Sequence, residues 1–227
     1  MNGLRWILFD LNGTLLDPTT IADGLPDAIR GDDPSATAHS LLTDSVVQAM
    51  ADTATGHWRP FPTYLEAALA RRTEPVGLDR SVVDDALERA ARMPAFPDAK
   101  RGLTRLAEAG LRLGVVTNSG RDPAEDSLEA AGLRDHFEVV VGSDEIEVFK
   151  PDARVYRHGL ARAGAEAAHT CLVASHAWDL LGARRAGLAG AWIDRGEGAL
   201  LETVPEVLAT GADLGDLAAT LVGFAAG

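Results

Sequence analysis

Residues 4–17, LRWILFDLNGTLLD, constrain the chain more than any other stretch. The apolar run Trp6-Ile7-Leu8-Phe9 ends abruptly in Asp10, and Asn12, Gly13 and Thr14 separate it from Leu15 and Leu16. A short run that is apolar on both faces reads as a strand buried between two layers, as in a parallel sheet. Ligands of open α/β sheets bind beyond the carboxyl ends of the strands. The run therefore places Asp10 where a ligand binds, beside a glycine turn, as a candidate nucleophile. A turn or helix-capping aspartate explains the same pattern.

The following residues, 18–93, carry no strand-like run. Pro18, Gly24, Pro26, Gly31 and Pro34 predict a loop with short turns. Apolar residues at helical spacing predict helices over 40–50, 62–72 and 81–92, the last N-capped by Ser81, before Met93-Pro94 and Pro97 stop the pattern. From Phe96 onward, predicted strands at 111–116, 137–141, 170–174 and 191–194 alternate with predicted helices at 98–110, 122–132, 151–164, 179–187 and 214–224. Val207-Leu208 adds a short apolar piece. This alternation predicts an α/β fold, a doubly wound parallel sheet of Rossmann-like type, formed by residues 1–17 and 94–227. Residues 18–93 form an inserted helical domain in that reading.

The formal net charge of -13 and the lack of any Lys/Arg-rich block argue against nucleic acid or an anionic membrane surface as partner. An anion site must then rely on local donors. The single cysteine, Cys171, lies in an apolar run and reads as a buried core thiol. No apolar run is long enough to span a bilayer and no leader precedes Leu4, so the expected location is the cytoplasm.

Three further stretches carry chemistry. Thr117-Asn118-Ser119 ends a predicted strand ahead of a helix, where converging side-chain and backbone donors hold an oxyanion or simply cap the helix. Lys150 precedes Pro151 at the expected rim of the sheet, as a cation that keeps Asp10 ionised or as a surface lysine. Residues 173–179, VASHAWD, precede another helix. Thr14 either bonds Asp10 across its turn or N-caps the next element of the chain. In this order and spacing, the four stretches resemble the four motifs of the haloacid dehalogenase superfamily, from residue 4 to about residue 195. The resemblance implies a Rossmann-like core, an inserted helical cap domain that chooses the substrate, and Asp10 as a nucleophile paired with Lys150.

Phosphatases of that superfamily carry a second Asp two residues after the nucleophile, where this chain has Asn12, which cannot transfer a proton. They also supply an Mg²⁺-ligating Asp four residues before the position of Asp179, where this chain has Ser175. The last two stretches are similar to those of the L-2-haloacid dehalogenases, in which, the resemblance implies, halide leaves without acid or metal. Carried onto this chain, Asp10 attacks C2 of the substrate and Asp179 positions water. Lys150, Ser175 and Tyr156 orient Asp10, while Thr117 and Asn118 receive the carboxylate and halide. The dehalogenases have Tyr at Asn12 and Asn at His176, both substrate-facing positions. His176 is then a neutral hydrogen-bonding substitute or a plain loop histidine. The cap Arg that grips the halogen is missing from 40–50, leaving Arg30 and Arg59 as substitutes or as solvated surface. Trp58 and Phe61 read as core packing or as a pocket wall. The expectation is metal-free, cofactor-free hydrolysis of a small 2-halo carboxylic acid through an aspartyl ester, with a small anion as the partner and a homodimer implied by the resemblance. The alternatives are a phosphatase-like member using Mg²⁺ with impaired acid/base chemistry, and a non-catalytic protein that binds small anions.

Overall fold

The computed structural model describes residues 3–196, 198–204 and 206–225; residues 1, 2, 197, 205, 226 and 227 of the expected core lie outside them. Strands β1 (Trp6–Phe9), β2 (Arg112–Val116), β3 (Val139–Val141), β4 (Thr170–Ala174), β5 (Ala189–Ile193) and β6 (Ala209–Gly211) form one six-stranded sheet in the order β3-β2-β1-β4-β5-β6. All neighbours are parallel. β1 is central, with Phe9 opposite Val115 on one side and Val173 on the other. Side chains alternate along a strand, so Ile7 and Phe9 enter one core with Leu103 and Leu217, while Trp6 and Leu8 enter the other with Leu160 and Leu180. Cys171 is buried in the first core, and burial pushes its thiol pKa up. The strand order reverses between β1 and β4, which opens the crevice of a doubly wound sheet beyond their carboxyl ends.

Between β1 and β2 the described chain is helical, with α1 (Thr20–Asp23), α2 (Asp27–Arg30), α3 (Pro34–Thr55), α4 (Phe61–Thr73), α5 (Arg80–Ala90) and α6 (Ala99–Glu108). The later helices are α7 (Arg121–Ala130), α8 (Ala153–Ala163), α9 (Ala177–Arg185) and α10 (Leu214–Val222). The chain leaves and re-enters the sheet layer side by side. Asp17 N–H donates to Pro94 O at 2.8 Å and Phe96 N–H donates to Leu15 O at 2.9 Å, around an antiparallel Leu16–Ala95 bridge.

Several expected boundaries are corrected. The loop expected before Pro34 contains α1 and α2. α3 is much longer than 40–50, because Asp33 caps it by accepting from Ala36 N–H at 3.0 Å, Pro34 supplies its first turn, and Gly56 closes it at φ 76°. The N-cap of α5 is Asp79, which accepts from Ser81 N–H at 2.9 Å, not Ser81 itself. α8 likewise starts after Asp152, which accepts from Arg154 N–H, and not at Pro151. The apolar piece Val207-Leu208 leads into β6, with Leu208 N–H donating to Gly190 O at 2.7 Å.

Candidate active site

The site is built at the carboxyl ends of β1, β2 and β4. Asp10 continues β1, donating its N–H to Val173 O at 3.0 Å, so the backbone fixes its direction. The chain then turns tightly. Gly13 has φ +79°, and a Cβ there would come within 3.0 Å of His176 Nε2, so the turn needs glycine on both counts. The turn brings Thr14 back, and its hydroxyl donates to Asp10 Oδ2 at 2.8 Å. Ser175 follows β4. Its N–H donates to Thr14 Oγ1 at 3.1 Å and its hydroxyl donates to Gly13 O at 2.8 Å. Ser175 thus holds the turn and Thr14, and bears on Asp10 through Thr14.

Lys150 is fully buried. Its ammonium donates to Asp10 Oδ1 at 2.6 Å, to Asp179 Oδ2 at 2.6 Å and to Val116 O at 3.0 Å, which uses all three of its protons. The backbone of Lys150 is held as well, since its N–H donates to Asn118 Oδ1 at 2.8 Å. Tyr156, on α8, donates its hydroxyl to Asp179 and bears on Asp10 through Asp179 and Lys150. The reason is the close approach of α8 to α9 at Gly182, where a Cβ would lie 2.6 Å from the Tyr156 hydroxyl.

Burial favours neutral Asp10, but the Lys150 ammonium, His176 and the Thr14 hydroxyl outweigh it and hold the carboxyl below the usual range. Burial also opposes the charge on Lys150, and the two carboxylates raise its pKa regardless. Asp179 is pushed up, first by burial and then by the charge of Asp10. Tyr156 is pushed well up by burial and by Asp179, so its hydroxyl keeps its proton. The Lys150 ammonium and the Thr14 hydroxyl thus hold Asp10 ionised beside the pocket.

Asp10 opens onto a pocket of about 30 Å³ lined by Asn12, Thr117, Asn118, His176 and Trp178, and closed from above by Leu42 and Val46 of α3 and Phe61 of α4. Asn118 Nδ2 is a buried donor with no partner among the described residues. Asn12 donates through Nδ2 to Ser119 Oγ at 3.2 Å, and Ser119 N–H donates to Thr117 Oγ1 at 3.2 Å. His176 stands with Nε2 3.3 Å from Asn12 O and 3.9 Å from Asp10 Oδ2, and its ring stacks on Trp178 at 5.2 Å. Asp179 is fully buried behind Lys150, so the water-positioning contact expected of it has no place on the pocket side. Arg30 pairs with Asp27 and Arg59 with Asp52, and neither lines the pocket. Phe61 does line it, while Trp58 stacks on Phe149, whose N–H donates to Thr53 of α3. The sequence reading missed Leu42, Val46 and Trp178. Leu42 and Val46 are spaced i, i+4 on α3, which was a usable signal for a common face.

The family profile describing haloacid dehalogenase-like hydrolases matches residues 4–187. The chain is a haloacid dehalogenase-like hydrolase. This hydrolase is 31% identical to the (S)-2-haloacid dehalogenase of Pseudomonas sp. strain YL over 203 residues, covering 86% of this chain and 84% of that one. It is 28% identical to (S)-2-haloacid dehalogenase 4A of Burkholderia cepacia over 205 residues, covering 86% and 85%. The structure of the L-2-haloacid dehalogenase of Xanthobacter autotrophicus shares the fold at a TM-score of 0.85 and 23% identity, over 98% of this chain and 100% of that one. One structure of that enzyme has chloropropionic acid covalently bound. The hydrolase's donor set does not fit Mg²⁺. The Lys150 ammonium stands between the two carboxylates, Ser175 supplies a hydroxyl already given to Gly13 O, and no group of three metal-ligating side chains occurs among the described residues.

Proposed function

We propose that the hydrolase replaces the halogen of a 2-halo carboxylic acid by hydroxyl, through an ester on Asp10 and without a metal. The observation that carries this reading is the Lys150 ammonium bridging Asp10 and Asp179. It keeps Asp10 ionised without a metal, Ser175 stands where a phosphatase of the superfamily supplies its Mg²⁺-ligating Asp, and Asn12 beside Asp10 cannot protonate a leaving alkoxide. Such a site suits a leaving group that departs as a stable anion.

In the first step an Asp10 oxygen bonds to C2 of the substrate, and the carbon–halogen bond breaks with its electron pair going to the halide. Asn118 Nδ2, with Thr117 beside it, is the donor for the substrate's negative end. In the second step water attacks Cγ of the Asp10 ester from the pocket side, where His176 stands. The ester bond breaks to give the 2-hydroxy acid and a regenerated carboxylate carrying the water's oxygen, with one proton released. Thr14, held by Ser175, and Lys150, paired with Asp179 to which Tyr156 donates, keep Asp10 in place through both steps. Residues 18–93 act as the cap domain over the core formed by 1–17 and 94–227, since Leu42, Val46 and Phe61 close the pocket.

Repeated turnover of (S)-2-chloropropanoate in ¹⁸O-water tests the scheme, because it incorporates the label into the peptide that contains Asp10. Label confined to the first-turnover lactate would show direct attack by water and overturn the ester.

A further inference from the structure

A cleft of about 690 Å³ lies between α3 and α9, beside the pocket of about 30 Å³ at Asp10. Leu42, Val46, His176 and Trp178 line both, so the two adjoin. The pocket leaves no room for a long substituent beside the groups at the reacting carbon. The cleft has the volume of a small-molecule site. Its walls are two facing helix surfaces, Val46, Val47 and Met50 on α3 and Trp178 and Leu181 on α9.

Four large hydrophobic side chains stand exposed among the described residues, and three of them line this one cleft: Val47 at 58%, Leu181 at 37% and Leu201 at 60%. Singly scattered apolar residues need no explanation, but their convergence on one concave wall marks a binding surface. Of the polar residues that line the cleft, Asp33, Ser35 and His39 belong to the other end of α3. Arg195, also on the cleft, donates through Nε to Thr14 O and through Nη1 to Asp98, while its buried Nη2 has no partner among the described residues.

We propose that the cleft is a subsite for an apolar alkyl substituent at C2 of the substrate, four carbons or longer, which makes this enzyme one for medium-chain 2-halo acids. The inference rests on the dehalogenase reading above. With C2 at Asp10 and the carboxylate and halogen in the pocket, the remaining substituent of C2 passes Leu42 and Val46 and lies against Val47, Met50 and Leu181. Each methylene buried there raises kcat/KM roughly fourfold, the worth of a buried CH₂.

The test measures bromide release from 2-bromopropanoate, 2-bromobutanoate, 2-bromohexanoate and 2-bromooctanoate by the full chain. The expected result is a kcat/KM for 2-bromohexanoate at least about tenfold above that for 2-bromopropanoate. Val47→Asp and Leu181→Asp, both at exposed positions, should each lower that ratio about tenfold by placing a carboxylate along the chain's path. A wild-type ratio near one, or falling with chain length, while 2-bromopropanoate still releases bromide, overturns the subsite and leaves the dehalogenase reading standing. No bromide from any of the acids overturns the dehalogenase reading itself. If the wild type sediments as a dimer, and Val47→Asp dissociates it with the ratio unchanged, the face belongs to a second copy and the subsite is wrong.

Discussion

Lys150 is the residue on which the charge balance of the site turns. It is fully buried, touches Asp10 and Asp179 at 2.6 Å each, and spends its third proton on Val116 O. Removing the cation from such a cluster leaves two facing carboxylates with no counter-charge, and breaking a buried ion pair in this way costs about 3–5 kcal/mol. Lys150→Met should therefore lose about 3 kcal/mol or more in urea unfolding and release no halide. Adding Asp179→Asn removes one of the stranded charges, so the double variant should regain part of the stability and none of the activity. Full stability of Lys150→Met would mean that the cluster does not depend on the cation. The positions of Asp10, Thr14, Thr117 and Asn118 were legible in the sequence because each stands at a strand end or in the loop leaving one, whereas the pairing of Lys150 with Asp10 was legible only through the family resemblance. The partner of Tyr156 was not legible. Whether its hydroxyl meets Asp10 or Asp179 depends on how closely two helices approach, which no local pattern in the chain records.

That approach belongs to α8 and α9. Gly182 faces Tyr156 so closely that a Cβ would lie 2.5 Å from Pro151 O and 2.6 Å from the tyrosine ring and hydroxyl. Gly182→Ala must push α9 away from α8 or turn Tyr156 off Asp179. Overpacking of this kind costs about 1–3 kcal/mol, and the loss should appear both in thermal unfolding and in a lower kcat. An unchanged kcat would show that the Tyr156–Asp179 contact is not used in turnover. Helices and strands of the sheet domain were readable because their apolar periods are strong and glycines such as Gly164 punctuate them. The span of α3 was less readable. Its buried residues are mainly small or polar (Ala38, Leu41, Ser45 and Ala49), so the periodic signal is weak, and the Asp33-Pro34 start and the Gly56 stop were the better markers. The β6 strand was not foreseen for a related reason, since pairing to β5 and not hydrophobicity selects Ala209–Gly211.

Over the whole molecule, one ion pair links the two halves of the sheet to the Asp10 turn. Arg195, which follows β5, is 7% exposed and donates to both oxygens of Asp98, ahead of α6, at 3.0 Å, and to Thr14 O at 3.1 Å. Asp98 also accepts the N–H of Leu214 at the start of α10. Burial opposes ionised Asp98, but the Leu214 N–H and Arg195 outweigh it and hold its pKa below the ordinary 3.8. A carboxyl whose folded pKa is lowered contributes stability that is fully present above the unfolded pKa and is lost as the pH falls through the folded one. Asp98→Ala should thus cost about 3 kcal/mol at neutral pH. The gap from the wild type should hold down to about pH 4 and close below it, as followed by urea unfolding across a pH series. A gap that shrinks between pH 7 and pH 5 would assign the effect to another group. The paired crossings at Asp17–Pro94 and Leu15–Phe96 have a consequence of a different kind. The chain departs and returns through neighbouring hydrogen bonds, so the strands on either side do not register how much chain is threaded between them. Doubling the length of a connection adds only about 0.6 kcal/mol of closure entropy. A lineage carrying this sheet can therefore lengthen, trim or exchange the intervening helices, and so change diet, while the residues that perform the reaction stay in place.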